Sequence, residues 1–182
     1  MFKTLKLPRV TLRLITHKHA GGLFTILNNP LVAQFNDYKT PLSKDNIKQL
    51  IQDDISAYYE GEVIRLAIEH NINTCFIGTC GLYKIEDKIN SAFIGFELAP
   101  NYWQQGLMSE ALVGFINTLP NTLQIYELFA EVNIKNIRSH KLLTKLGFTP
   151  NFNADLLPSR IKTITRNNDE LWYKKINVQG KQ

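Results

Sequence analysis

Residues 63 to 98 hold three strand-like runs in quick succession: VIRLAIE at 63 to 69, CFIGTCGLYKI at 75 to 85 and SAFIGFEL at 91 to 98. The turns between them, around Asn71 to Asn73 and Asp87 to Asn90, are too short to contain a crossover helix, so the strands must return antiparallel. After Pro100 the connection changes character. The segment NYWQQG leads into a helical run with Ala111, Leu112, Phe115, Ile116 and Leu119 on one side, closed by Pro120, and LQIYELFAEV at 123 to 132 reads as the next strand. Strand, glycine turn, helix and strand make a crossover unit, whose two strands run parallel. A chain holding both patterns needs a mixed sheet.

The flanks supply the remaining layers. RVTLRLI at 9 to 15 alternates like a half-buried strand, and Ala20, Leu23, Phe24 and Leu27 recur at helical spacing before Asn28, Asn29 and Pro30. Ser43 is the expected N-cap of a helix whose stripe of Ile47, Leu50, Ile51, Ile55 and Tyr58 ends at Gly61 and should pack on the sheet. A last helix is expected from about Ile137 to Leu146, stopped by Gly147, followed by a strand from Phe148 and another over ELWYKKI at 170 to 176. The polar stretch between those two strands reads either as a substrate loop or as a simple connection. The fold class is therefore α/β (α+β): a mixed, mostly antiparallel sheet of about seven strands with helices on both faces. One domain is expected over 1 to 182, with its core at about 9 to 176.

With 182 residues, 44% of them hydrophobic, the chain can bury one sizeable core. Its formal charge of +5 suits a polyanion, either nucleic acid or a phosphorylated cofactor. No arginine-rich run, basic and aromatic stripe or zinc-finger spacing supports nucleic acid, which is not an expected partner. No apolar run approaches the roughly 18 to 20 residues of a membrane span, and the interrupted start does not read as a signal peptide, so no membrane partner and a cytoplasmic location are expected. Cys75 and Cys80 point to opposite faces of a strand, so neither a disulfide nor a metal site is expected.

YWQQGLMSEAL at 102 to 112 is the candidate site. The first turn of a helix has N–H groups without intrahelical partners and a partial positive charge. A glycine there lets a phosphate approach the backbone, so Gln105, Gly106, Leu107, Met108 and Ser109 can form a pyrophosphate cradle. The same residues also fit a plain loop-to-helix junction, since the GxxxxGK[ST] signature is absent.

FIGFELAPNYWQQGLMSEAL, then a strand, then VNIKNIRSHKLLTKLGF, resembles the acetyl-CoA-binding core of the GNAT N-acetyltransferase superfamily. More narrowly it is similar to the RimJ/RimL type of ribosomal-protein N-acetyltransferases, whose pattern runs approximately IGY-x-L-x-P-x-YWG-[KQ]-G-[YL]-[AM]-[ST]-EA, then N-x-x-S and LGF. The resemblance extends from TLRLIT near residue 11 to the WY pair at 172 and 173 and is strongest between 94 and 148. It implies a GNAT fold with a splayed acetyl-CoA cleft. In that cleft the backbone of Leu98 would meet the pantetheine arm, and Gln104 to Ser109 would hold the pyrophosphate. Trp103 stands where the superfamily often has Gln or Arg, and Met108 where it often has Gly or Ala. Asn136 and Ser139 match N-x-x-S, which implies cofactor contact, although both residues are also ordinary helix caps. Arg138, Lys141 and Lys145 share one helix face, which suits either the phosphates of coenzyme A or plain solvent.

The implied reaction is amine acetylation, which needs positioning, a base for the amine proton and preferably an acid for the sulfur. Glu97, the carboxylate of FIGFEL, is the candidate base, or else a strand-pairing glutamate. Glu110 is expected to favour the helix N-terminus and pack locally. Many members carry an acid tyrosine at the position of Leu143, so Ser139 is the substitute the resemblance offers. Asp155 and Arg160 are insecure matches for a late-loop carboxylate. The acceptor is a primary amine, on a small molecule or a protein N-terminus, and its pocket is expected within 30 to 42 and 150 to 169. A noncatalytic acyl-CoA-binding module is the alternative that Leu143 keeps open. Monomer and homodimer fit equally.

Overall fold

A computed structural model describes residues 2 to 36, 38 to 86, 90 to 151 and 170 to 176. In chain order its elements are β1 (Leu5–Lys6), β2 (Val10–Leu14), α1 (Ala20–Leu27), α2 (Pro30–Ala33), α3 (Lys44–Tyr59), β3 (Ile64–His70), β4 (Phe76–Glu86) and β5 (Ser91–Leu98). There follow α4 (Leu107–Leu123), β6 (Glu127–Asn133), α5 (Ile137–Lys145), β7 (Thr149–Asn151) and β8 (Glu170–Ile176). The strands form one sheet in the order β1-β2-β3-β4-β5-β6-β8-β7. Among the described strands only β5 and β6 pair in parallel, across the α4 crossover. The two-residue β1 brings the expected seven strands to eight.

The strand register sorts side chains between two layers. Leu66 pairs with Cys80 and Cys80 with Phe96, while Ala67 pairs with Thr79 and Thr79 with Glu97. Alternation therefore puts Leu66, Cys80 and Phe96 on one face and Arg65, Thr79 and Glu97 on the other. Leu107, Ala111, Leu112, Phe115 and Leu119 of α4 join Leu66, Cys80 and Leu82 in the larger core. Ile15, Leu23, Leu27, Ile47 and Ile51 form a second core with α1 and α3. The Ser43 hydroxyl accepts from the Asn46 N–H at 3.0 Å while Asn46 returns a bond to the Ser43 N–H at 2.9 Å, closing the α3 start as a capping box. Both cysteines are free, and no helix among the described residues is long and apolar enough to cross a membrane.

Two boundaries differ from the sequence reading. Pro120 does not close its helix: α4 runs on to Leu123, with the proline ring buried and Gln124 left-handed at φ 54° as the actual stop. The proline lies in the last turn, where tertiary burial offsets one lost backbone bond. Consequently β6 begins at Glu127 rather than at 123. The four-residue α2, capped by the Asn29 side chain on the Leu31 N–H, was not anticipated because Pro30 reads as a stop when it also serves as a first helical residue.

The feature that matters for function is where pairing ends. β5 and β6 are in register only over Ser91 to Phe93 and Glu127 to Phe129, yet both strands continue. Beyond Phe93 the sheet opens into a V, with Ile94 to Leu98 on one arm and Ala130 to Asn133 on the other.

Candidate active site

A cavity of about 550 Å³ opens between the end of β5, the start of α4, the start of α5 and α2. Glu97 and Leu98 reach it from β5, and Gln104, Gly106, Leu107, Met108 and Ser109 from the turn and first residues of α4. Gln104 and Gly106 are both left-handed, at φ 60° and 76°. Gly106 is the N-cap and supplies no capping side chain, so the N–H groups of the first turn have no partner of that kind. The Leu107 and Met108 side chains belong to the core, and both residues line the cavity.

Gln105, expected in the cradle, does not line the cavity. Its amide donates to the Asn101 carbonyl at 2.8 Å, and its own carbonyl accepts from Arg9 Nη1 at 2.8 Å. Arg9 in turn donates to both Glu110 oxygens, from its backbone N–H at 2.7 Å and from Nε at 2.6 Å. Arg9 and Glu110 thus strap the glycine turn to the chain entering β2. Nothing local in the sequence marks Arg9, whose partners lie 96 and 101 residues away.

The opposite lip is α5. Asn136 Oδ1 accepts from the Ser139 N–H at 3.2 Å and so caps the helix, while both residues also line the cavity. Arg138, Lys141 and Lys145 all face it too. The Arg138 guanidinium lies 4.3 Å from the centre of the Trp103 ring, and Trp103 Nε1 donates to the Leu98 carbonyl at 2.7 Å. The indole therefore takes one of the two acceptor positions of the Leu98 carbonyl, part of the backbone expected to meet the pantetheine arm. Leu143 is fully buried in the core.

Glu97 sits in a polar cluster within the α3-side layer. Its Oε1 accepts from Arg65 Nη2 and from the Thr79 hydroxyl. Arg65 Nη1 donates to Asp54 Oδ2 of α3 at 2.9 Å and lies 3.4 Å from the Tyr38 hydroxyl. Burial favours neutral Arg65, but Glu97, Tyr38 and Asp54 hold its pKa well above the usual value. Burial pushes Asp54 up, against the opposing pull of Arg65, and raises Tyr38 likewise. Two carboxylates share one guanidinium here. The signal available in sequence was a charged residue inside an apolar strand, Arg65 in VIRLAIE; its partners required the register.

Of the acceptor region expected at 30 to 42, Leu31, Val32, Phe35 and Asn36 line the cavity. The Asn36 side-chain nitrogen is buried with no hydrogen-bond partner among the described residues. Asp155, Arg160 and the stretch 152 to 169 lie outside the described residues. Among the described residues no three His, Cys, Asp or Glu side chains group to hold a metal.

Residues 9 to 149 match the family model described as an acetyltransferase (GNAT) domain. The chain is 30% identical over 148 residues to the uncharacterized N-acetyltransferase YoaA of Bacillus subtilis (strain 168), covering 81% of this chain and 84% of that protein. Among solved structures, RimL, a ribosomal L7/L12 alpha-N-protein acetyltransferase in complex with coenzyme A, superposes with a TM-score of 0.81 at 18% identity, covering 96% of this chain and 98% of that one. A putative ribosomal-protein-serine acetyltransferase from Vibrio cholerae gives a TM-score of 0.79 at 19% identity, covering 96% and 97%.

Proposed function

The chain belongs to the GNAT acetyltransferase family, and on that premise we propose that it moves an acetyl group from acetyl-CoA to a primary amine in a ternary complex, with a protein N-terminal amine as the acceptor. The observation that carries the donor is the left-handed Gly106 turn opening α4 inside the V, opposite a lip bearing Arg138, Lys141 and Lys145. Amides at a helix start together with facing cations make an anion site of the kind a diphosphate needs. The protein acceptor is favoured by the printed descriptions of the RimL and Vibrio cholerae structures.

Acetyl-CoA supplies the acetyl group as an activated thioester. Leu107, Met108 and Ser109 offer it backbone N–H groups, with Gln104 and Gly106 shaping the turn, and Lys141 and Lys145 offer charge. Gln105 contributes by fixing that turn rather than by contact. The unpaired edge of β5 beyond Phe93 presents main-chain groups to the pantetheine amides, as a sheet edge does to an added strand. The Leu98 carbonyl, which already accepts from Trp103 Nε1, has a second lone pair for a ligand amide. Asn136 lies at the lip, and Ser139, which lines the cavity, holds a proton for the sulfur end. Glu97, at the other end, takes the amine proton directly or through one water.

Calorimetric titration with acetyl-CoA, followed by a thiol-release assay over peptide and small-amine acceptors, tests the reading. No binding at millimolar acetyl-CoA would refute the donor assignment. Full activity in both Glu97→Gln and Ser139→Ala would remove those two roles and leave the donor site standing. One observation favours a second reading, a noncatalytic acyl-CoA-binding module: Leu143 is core and Glu97 Oε1 already accepts two bonds. Such a module would bind acetyl-CoA and release no thiol above background with any amine.

A further inference from the structure

The acceptor half of the cavity differs sharply from the donor half. Its wall on α2 and the residues just after it presents Leu31, Val32 and Phe35, and Ile137 stands across the mouth. Leu31 is 49% exposed and Ile137 56%, so apolar surface is left bare at the rim. The lining cations, Arg138, Lys141 and Lys145, all lie on α5, and Glu97 is the one carboxylate among the described lining residues. Behind it Asp54 and Glu97 share Arg65, so the cluster has room for one further positive charge, a proton or an ammonium.

Resting on the acetyltransferase reading above, we propose that the acceptor is an amine of single positive charge with an apolar group beside it. The ammonium is held at Glu97 and the apolar group lies on Leu31, Val32 and Phe35. A polyamine fits badly. Its second ammonium would be desolvated against an apolar wall with no carboxylate among the described lining residues to meet it. Burying one large apolar side chain is worth roughly tenfold or more in binding, and an acceptor lacking one forgoes that gain.

The test is kcat/KM, read by CoA release with the full chain, for three acceptors: a short peptide beginning with Phe, phenethylamine and spermidine. Both apolar monoamines are expected to exceed spermidine at least tenfold. The peptide and phenethylamine arms distinguish a protein from a small-molecule source. Leu31→Asp, at a half-exposed position, adds a carboxylate to the wall and is expected to shrink that ratio at least fivefold; acetyl-CoA titration of the variant reports an intact fold. Spermidine turned over as well as the monoamines, or a ratio unmoved by Leu31→Asp, overturns the proposal while leaving the enzyme assignment intact. If acetyl-CoA binds and no amine accelerates thiol release, the acetyltransferase reading fails and this one falls with it.

Discussion

Gly106→Ala separates the conformational role of the glycine from its role toward the donor. At φ 76° an alanine enters the left-handed region, which costs roughly 1 to 2 kcal/mol for an L-residue. The added methyl meets nothing closer than Arg9 Nη2 at 3.5 Å, an ordinary contact, so no further steric cost arises in the free protein. For a domain of this size the melting temperature should fall by roughly 2 to 8 °C. On the proposed donor site the effect on acetyl-CoA should be larger than any stability loss explains, because the methyl would stand where a phosphate oxygen approaches the backbone. Losing one charge-assisted hydrogen bond, about 1.5 to 3 kcal/mol, weakens binding roughly ten- to a hundredfold. Gly61→Ala is the matched control: its φ is 80°, its methyl has nothing within 4 Å, and it does not line the cavity. Thermal melts and calorimetry on both variants decide the matter. Equal melting losses with equal acetyl-CoA affinity would refute the cradle and leave Gly106 as a helix junction.

Arg9→Ala should raise KM for acetyl-CoA about fivefold or more with kcat nearly unchanged, because it unfastens the turn through Gln105 and Glu110. S-acetylpantetheine, which lacks the phosphates, should be used equally well by both forms; equal losses on the two donors would reduce the strap to general stability. Trp103 should change its emission on acetyl-CoA binding if it leaves the Leu98 carbonyl, measurable in a Trp172→Phe background where it is the sole tryptophan of the two. An unchanged spectrum at saturation would show that the carbonyl stays capped. Burial raises Asp54, so the folded chain favours its protonated form more than the unfolded chain does. Its contribution to stability is fully present below the ordinary aspartate value of about 3.9 and is lost as pH rises through the higher folded-state value. Asp54→Asn should therefore flatten the decline of stability above about pH 4, and denaturant melts of the two forms with identical pH slopes would contradict this.

Connection length made the antiparallel β3 to β5 meander and the parallel return to β6 legible, since loop size leaves few alternatives. The glycine turn was legible in the same way, from one permissive residue ahead of an apolar helix. Other parts depend on what meets across the fold. Pro120 obeyed burial rather than its local preference. Trp103, an apparent departure at a cofactor position, acquired a role only through its distance to the Leu98 carbonyl. Arg65 could be seen as a misplaced charge, but Thr79, Glu97, Asp54 and Tyr38 come to it from two strands, a helix and a loop, and no spacing rule brings those together.

The early end of β5 and β6 pairing has a consequence for the life of the chain before it meets its donor. Past Phe93 a hydrogen-bonding edge is left without a neighbouring strand among the described residues, the type of surface through which nascent or crowded chains join one another. A donor seated as proposed along that edge would close it and also add about 2.7 kcal/mol of folding stability at a hundredfold excess over its dissociation constant. Solubility and resistance to proteolysis of this protein should accordingly follow the supply of acetyl-CoA, so that a cell poor in the donor carries fewer intact copies of the chain that would spend it.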